Sequence, residues 1–333
     1  PLFGSRMKTY AEYSKFNAAL LYYAMPIKIN EDLPAFRILE QENIFAMTEK
    51  RALIQDIRPL KVAIVNLMPT KTTTETQLLR LLANTPLQIE ISLVRMEQHS
   101  SKNTGDEYLD KFYIPSGKVF EQRFDGMIIT GAPVEKLDFE QVDYWRELCT
   151  IMDYAKENVF STLYLCWGAF AGLYHLYGIP KYPTEKKIFG VFQNRRMTLN
   201  DPLLRGLDDE FPSPQSRYTT LRESDIAQRD DLIVLAKSEE SGVTLVKSKN
   251  NREVFMTGHL EYDTATLSDE YWRDKSKNLA IDIPKNYFPN NDPHLPPHSY
   301  WRSSAHLLFS NWLNYYVYQE TPFNFTADGC CGV

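Results

Sequence analysis

The chain is poor in cysteine, and its four cysteines have no spacing that indicates a disulfide framework or a metal site. They are Cys149, Cys166, Cys330 and Cys331. The sequence contains neither a zinc-ligand pattern nor a G-x-G-x-x-G or P-loop motif. We therefore expect a reducing, cytoplasmic location, no metal site and no bound cofactor.

Long apolar runs and a strong charge of either sign are also absent. No run approaches the ~20 residues that a transmembrane helix needs. The stretch Ala18–Met25 is short and lacks a convincing signal-peptide cleavage site. A net charge of −6 gives no excess of the basic residues that attract nucleic acid or anionic membranes. We expect neither as a partner.

The chain has the proportions of an ordinary globular protein. Hydrophobic residues make up 43% of it and charged residues 24%, which is enough to bury a sizeable core. Internal repeats and low-complexity linkers do not occur. We predict an N-terminal extension over residues 1–33, a single domain over residues 34–323 and a C-terminal tail over residues 324–333.

Strand and helix patterns alternate in the first half of the chain. The β-branched run Leu60–Met68 is typical of a buried parallel strand. Thr72 and Glu75 then form a capping-box pattern that predicts the start of a helix. Further strands are predicted at Leu87–Val94, Gly126–Thr130 and Ser161–Leu165, and further helices at Glu140–Ala155 and Trp167–Tyr177. This order predicts an α/β fold, with a mostly parallel sheet and helices on both faces.

The second half of the chain predicts antiparallel additions to that sheet. Short strand patterns occur at Leu232–Ala236, Gly242–Lys247 and Val254–Thr257. The segment Ser248–Arg252 has the composition of a hairpin turn. A long amphipathic helix is predicted at Ser303–Tyr318.

The segment Tyr164–Gly172 has the pattern of a nucleophile elbow. A predicted strand ends at Cys166, and a helix begins directly after it. Small residues, among them Gly168 and Gly172, would let that helix cross close to the strand. The helix N-terminus favours a thiolate, and its free backbone N–H groups can stabilise an oxyanion. The alternative is a buried core cysteine that ends a strand.

A second candidate segment follows the predicted strand Val254–Thr257. His259 and Glu261 are two residues apart, so in an extended segment their side chains point the same way. A histidine with a carboxylate to orient it is what nucleophilic catalysis requires as a base. The alternative is a strand-end histidine bonded by a local carboxylate.

The sequence also resembles the homoserine O-acyltransferases of methionine biosynthesis from Met25 to Phe323. The segments that carry the resemblance include Gln55–Lys61, Asn66–Lys71, Ile129–Glu135, Cys166–Ala169, Tyr177–Lys181 and Glu261–Asp263. This family has a flavodoxin-like, class I glutamine-amidotransferase-like fold. The resemblance implies acyl transfer from an acyl-CoA cosubstrate to the hydroxyl of L-homoserine. It also implies a homodimer.

The resemblance assigns roles to particular residues. It implies a ping-pong reaction in which Cys166 carries the acyl group as a thioester, His259 is the base and Glu261 orients the histidine. Lys71 matches a family lysine near the nucleophile, where a cation could stabilise an oxyanion. Positions that contact homoserine in the family match Lys187, Ser216 and Arg273.

Glu135 matches the position that goes with the acyl donor in this family. Glutamate there accompanies acetyl donors, whereas glycine accompanies succinyl donors. A carboxylate would fill the acyl pocket and repel the free carboxylate of succinyl-CoA. The resemblance therefore implies homoserine O-acetylation, with O-succinylation as the alternative.

The chain departs from the family pattern at a few positions near the presumed site. They are Phe170, Gln215, Tyr218, Thr220 and Leu260. An acceptor other than homoserine and a catalytically inactive binding paralogue are both alternatives because of these departures. A glutaminase subunit is a third alternative, since it would share the cysteine and the His-x-Glu arrangement.

Overall fold

The computed structural model describes residues 27–42, 59–98 and 104–321. Within these residues, eleven strands form one mixed sheet. Most of the predicted N-terminal extension and all of the predicted tail lie outside the described residues, so that division of the chain stays a prediction. Strand β1 lies within the predicted extension and already belongs to the sheet.

The strands fall into a parallel and an antiparallel half. Strands β1 to β6 and β11 pair in parallel, whereas β7 to β10 pair antiparallel. Their order across the sheet is β1-β3-β2-β5-β6-β11-β10-β9-β7-β8, and β4 also pairs with β3. Their bounds are β1 Ile27–Lys28, β2 Leu60–Val65, β3 Ile89–Arg95, β4 Tyr113–Pro115, β5 Gly126–Ile129, β6 Ser161–Leu165, β7 Tyr182–Arg196, β8 Glu210–Thr220, β9 Leu232–Ser238, β10 Gly242–Ser248 and β11 Glu253–Met256.

The helices connect these strands and cover the sheet. Short 3₁₀ turns add to them, and the last α-helix continues as a π-helix over Trp312–Tyr318. The α-helices are α1 Pro34–Gln41, α2 Lys71–Leu82, α3 Asp106–Phe112, α4 Trp145–Asn158, α5 Trp167–Tyr177, α6 Glu223–Ala227, α7 Thr266–Ser276 and α8 Arg302–Asn311. None of the helices in the described part of the chain has both the length and the apolar character needed to cross a membrane.

A separate hydrophobic core lies on each face of the sheet. Strand β2 shows the division, because Val62 and Ile64 pack into one core while Ala63 and Val65 pack into the other. Helices α2 and α8 cover the first face, and α4 and α5 cover the second. Such a strand is buried on both sides, which explains why the sequence of β2 is almost entirely apolar.

The architecture confirms the predicted fold class, and β6 and α5 have the predicted bounds. The predicted hairpin turn joins β10 to β11. The predicted capping box at Thr72 and Glu75 is wrong: α2 begins at Lys71, after an N-cap residue, Thr70, that makes no side-chain capping bond. The Glu75 carboxylate instead accepts hydrogen bonds from Tyr108 and Tyr113.

Candidate active site

Cys166 lies at a sharp bend between β6 and α5. Its backbone has φ 46° and ψ −116°, a left-handed conformation that costs a non-glycine residue about 1–3 kcal/mol. Its N–H donates to the Met256 carbonyl oxygen of the neighbouring strand at 2.7 Å. The bend is the predicted nucleophile elbow, and it holds the sulfur at the carboxyl edge of the parallel strands.

Two glycines allow the close approach that this bend requires. A Cβ on Gly168 would lie 2.7 Å from the Thr130 carbonyl oxygen and 2.8 Å from that of Ile129. A Cβ on Gly131 would lie 3.1 Å from the Cβ of Cys166. The segment after β5 therefore packs directly against the cysteine and the first turn of α5.

His259 and Glu261 form a buried pair after β11. Their exposed fractions are 3% and 7%, and His259 Nδ1 lies 2.6 Å from Glu261 Oε1. The His259 ring also stacks on Tyr262, with 4.0 Å between the ring centroids. These contacts fix the plane of the imidazole ring. Because Nδ1 contacts Glu261, Nε2 is the ring nitrogen that can contact another group.

The electrostatics of His259 link it to Cys166. Burial lowers the pKa of His259, but the negative charges of Cys166 and Glu261, and side-chain hydrogen bonds to both, outweigh burial and raise that pKa well above its ordinary value. The charge and the hydrogen bond of Cys166 therefore favour the imidazolium form of His259.

A cavity of about 340 Å³ opens at this pair. Loops after β2 and β5, the first turns of α2, and α7 line it. Among the predicted site residues, it brings together Glu135, Cys166, Ser216, His259 and Arg273. Residues spread over 139 positions of the sequence thus line one solvent-accessible cleft.

Lys187, Ser216 and Arg273 converge on Glu270, which the sequence prediction missed. Lys187 Nζ lies 2.6 Å from Glu270 Oε1, and the Ser216 hydroxyl donates to Oε2 at 2.8 Å. Arg273 lies 3.5 Å from Glu270 and 2.7 Å from Asp274. The cavity wall therefore offers an arginine and a carboxylate side by side.

The neighbours of Lys71 in the sequence, Thr70 and Thr73, line the cavity, but Lys71 itself does not. Its Nζ donates to the Asn66 carbonyl oxygen and lies 5.7 Å from the centroid of the Tyr113 ring. Burial lowers the pKa of Lys71 to about 8, and the charge of Glu75 opposes that shift. The predicted oxyanion lysine is therefore not among the residues that line the cavity at Cys166, and its role stays a prediction.

None of the five departures from the family pattern is among the residues that line the cavity. Gln215 is buried beneath Gly258, where a Cβ would meet its Nε2 at 2.6 Å. Phe170 is buried in the first turns of α5. The Tyr218 ring lies 4.1 Å from Lys136 Nζ and 5.6 Å from Lys187 Nζ. No group of side chains suited to a metal ion occurs in the described residues.

A family model described as homoserine O-succinyltransferase matches residues 26–323 of the chain. Curated relatives are similar over nearly their whole length. The homoserine O-acetyltransferase of Petrotoga mobilis is 58% identical over 90% of this chain and 97% of its own. That of Acetivibrio thermocellus is 57% identical over 90% of this chain and 98% of its own.

Solved structures support the fold alone. The crystal structure of SMU.1228c is 16% identical and covers 77% of this chain and 98% of its own, with a TM-score of 0.52.

Proposed function

Because the chain belongs to the homoserine O-succinyltransferase family, we propose that this acyltransferase makes O-acetyl-L-homoserine from acetyl-CoA and L-homoserine. The observation that carries the proposal is the single cavity in which Cys166 and His259 meet Glu135, Ser216 and Arg273. The relatives named homoserine O-acetyltransferase support the same reaction.

In the first half-reaction, Cys166 is the nucleophile. Its sulfur attacks the thioester carbonyl carbon of acetyl-CoA, and the bond from that carbon to the CoA sulfur breaks. His259 holds the thiol proton and passes it to the departing CoA thiolate. The N–H of Trp167, in the first turn of α5, has no intrahelical partner and is the candidate donor to the oxyanion.

In the second half-reaction, His259 acts as a base on the acceptor. Acetylation removes both the charge of Cys166 and its hydrogen bond, two of the interactions that raise the pKa of His259. That pKa therefore falls in the acetyl-enzyme, and the neutral imidazole takes the proton of the homoserine hydroxyl as its oxygen attacks the thioester. The bond to the Cys166 sulfur breaks, and the proton returns to that thiolate.

The wall formed by α7 supports an amino-acid acceptor. Arg273 suits a bidentate contact with an α-carboxylate. Glu270 suits the α-ammonium group, which would take the place of Lys187 or Ser216 as one of its partners. An acceptor with both charges fits such a pair better than a simple alcohol does.

Glu135 supports acetyl rather than succinyl as the acyl group. Its side chain lines the same cavity as Cys166. A second carboxylate, carried by a succinyl group, would meet this charge in a partly desolvated cleft, where like charges repel strongly. Acetyl carries no such charge.

The test is the intact mass of the protein after exposure to acetyl-CoA. We expect a mass increase of one acetyl group, its loss in Cys166→Ser, and its removal when L-homoserine is added. Cys149→Ser is the matched control, because Cys149 is a partly exposed cysteine on α4. No acetylation of the wild type, or acetylation that persists in Cys166→Ser, would contradict the proposal.

Three further properties belong to the proposal. CoA is a cosubstrate and no cofactor stays bound, the enzyme is cytoplasmic, and it forms a homodimer. The dimer and the role of CoA rest on the family resemblance, and the cytoplasmic location rests on the few cysteines and their spacing. Light scattering of the purified protein tests the dimer, and a monomeric mass at micromolar concentration would contradict it.

A further inference from the structure

Arg217 is a buried cation with no anionic partner among the residues that the structure describes. Its side chain is 1% exposed. Nε donates to Gln215 Oε1 at 3.0 Å, and the two terminal nitrogens donate to the carbonyl oxygens of Thr219 and Ser241. All three acceptors are neutral, so no carboxylate offsets the buried charge.

The surroundings of Arg217 are polar but carry no negative charge of their own. Gln215 Nε2, Thr219 Oγ1 and Ser241 Oγ are buried without a hydrogen-bond partner in the described part of the chain. Burial lowers the pKa of Arg217 to about 10, and the negative charge of Cys166 acts in the opposite direction. The negative charge of Cys166 is therefore the counter-charge that stabilises the protonated guanidinium.

The backbone explains how a residue of β8 reaches the nucleophile. The guanidinium lies 5.9 Å from the centroid of the Phe170 ring, one helical turn after Cys166. Two residues earlier in β8, Gln215 lies against Gly258, and the His259 N–H donates to the Pro214 carbonyl oxygen at 2.9 Å. Strand β8 therefore lies against both the elbow and the segment that carries the base.

An unpaired buried charge is among the most costly features a protein interior can contain. A neutral side chain of similar length would fill this space without that cost. The presence of an arginine here is explained if its charge stabilises a negative charge on the sulfur of Cys166. We propose that Arg217, which does not line the substrate cavity, is an electrostatic positioning residue that stabilises the thiolate form of Cys166.

Other charged and titratable groups also face Cys166, and the test must separate Arg217 from them. They are His259 and its partner Glu261, Tyr262 beside the imidazole, and Glu135, Glu270 and Arg273 along the cavity. Each of these is retained in a variant that changes position 217 alone. The proposal rests on the proposed function only in taking Cys166 as the nucleophile.

The experiment is the pH dependence of Cys166 alkylation by iodoacetamide, followed by mass spectrometry. We expect Arg217→Met to raise the midpoint pH by about one unit or more, which leaves about tenfold less thiolate below the midpoint. Arg217→Lys keeps the charge and is expected to keep a midpoint near that of the wild type. Arg196→Met is the matched control, because Arg196 likewise donates only to neutral oxygens, the backbone carbonyls of Leu207 and Leu199.

A purely structural role predicts a different result. Arg217→Met, which leaves three buried acceptors without a donor, would then lower the thermal midpoint of unfolding and leave the alkylation midpoint unchanged. An unchanged alkylation midpoint, or the same upward shift in Arg217→Lys or Arg196→Met, overturns the proposal. If Arg217→Met does not fold, Arg217→Gln replaces it.

Alkylation requires neither acetyl-CoA nor an acceptor. A wild type that is not acetylated but whose alkylation midpoint depends on Arg217 would therefore contradict the proposed function alone. Acetylation through Cys166 with no dependence on residue 217 would contradict this inference alone.

Discussion

The imidazole of His259 has two states during the proposed cycle because its neighbours change charge. In the free enzyme, a thiolate on one side and the Glu261 carboxylate on the other raise the pKa of His259. Once the sulfur is acylated, only the carboxylate remains. The same residue can therefore hold a proton in one half-reaction and accept one in the other without any movement of the backbone.

Titration of His259 in the free and the alkylated protein tests this change. We expect alkylation of Cys166 to lower the pKa of His259, since it removes the thiolate charge and the hydrogen bond to sulfur. The measurement is the pH dependence of the imidazole signals by NMR, with His175, which lies 2.7 Å from Asp153, as the control. A His259 signal that titrates identically in both forms contradicts the proposed proton transfers.

The same argument predicts the effect of removing the orienting carboxylate. Glu261→Gln keeps the size of the side chain but loses the negative charge 2.6 Å from His259 Nδ1. We expect kcat/KM to fall by about 10²–10⁴-fold, the usual contribution of a positioned acid or base, and the pKa of His259 to fall with it. Activity within threefold of the wild type would exclude this role for Glu261.

The proposed donor selectivity depends on a single residue in this site. Glu135→Gly removes the carboxylate from the cavity, so we expect the ratio of succinyl-CoA to acetyl-CoA turnover to rise by at least tenfold, or about 1.4 kcal/mol. Steady-state kinetics with both donors measure it. Glu135→Gln separates charge from size: if repulsion dominates, this variant also accepts succinyl-CoA better, and an unchanged ratio in both variants contradicts the assignment.

Several of these residues were predictable from the sequence, and others were not. Cys166 and His259 each follow an apolar strand, a position that indicates chemistry in a parallel sheet. Glu270 gave no such signal, because an acidic residue on a helix ordinarily faces solvent. Only the packing of α7 against the cavity turns it toward Lys187 and Ser216.

At the scale of elements, the approach of α5 to the end of β5 determines the position of the nucleophile. This approach depends on Gly168, whose missing side chain leaves room for the carbonyl oxygens of Ile129 and Thr130. Backbone atoms cannot rotate away as a side-chain end can. The helix and the sulfur at its start must therefore shift if the space is filled.

A Gly168→Ala substitution tests this dependence. We expect a loss of about 1–3 kcal/mol in the free energy of unfolding, the usual cost of overpacking, together with slower alkylation of Cys166. Denaturant unfolding and alkylation rates measure the two effects. Gly105→Ala is the matched control, since a Cβ there meets nothing within 4 Å, and an equally small effect at both positions would contradict the packing argument.

The central strands of the parallel half, β2, β3, β5 and β6, were predictable, whereas β1, β4 and the edge strand β8 were not. Strand β6 and helix α5 have simple apolar patterns and the predicted bounds. Strand β8 contains Pro212 and Pro214, and proline usually argues against a strand. It lies at the edge of the sheet, where a missing N–H removes no ladder bond. The composition of β8 did not predict a strand, because proline is tolerated there only through the position of β8 at the edge of the sheet.

At the scale of the whole molecule, the C-terminal segment closes one of the two cores. Trp312, at the start of the π-helix, is fully buried, and its indole N–H donates to the Ser161 hydroxyl at 3.0 Å. That serine opens β6, the strand that leads to the nucleophile. The last described helix and the central strand therefore support one another across the core.

Loss of this indole should be costly. We expect Trp312→Ala to lower the free energy of unfolding by about 3–5 kcal/mol, as for other large-to-small core changes, which guanidinium unfolding measures. Tyr318→Ala is the control, because Tyr318 is 50% exposed on the same segment. A loss below about 1 kcal/mol for Trp312→Ala would show that the C-terminal helix contributes little to that core.

The pairing of β6 with β11 has a consequence for how such enzymes can diverge. Leu165 lies opposite Met256, so the main-chain ladder holds in register the two strand ends that precede the sulfur and the imidazole, and a slip of one residue would shift one against the other. Glu135 and Arg273 come from a loop and a helix outside that ladder. Point substitutions can therefore change substrate preference without altering the alignment of Cys166 and His259.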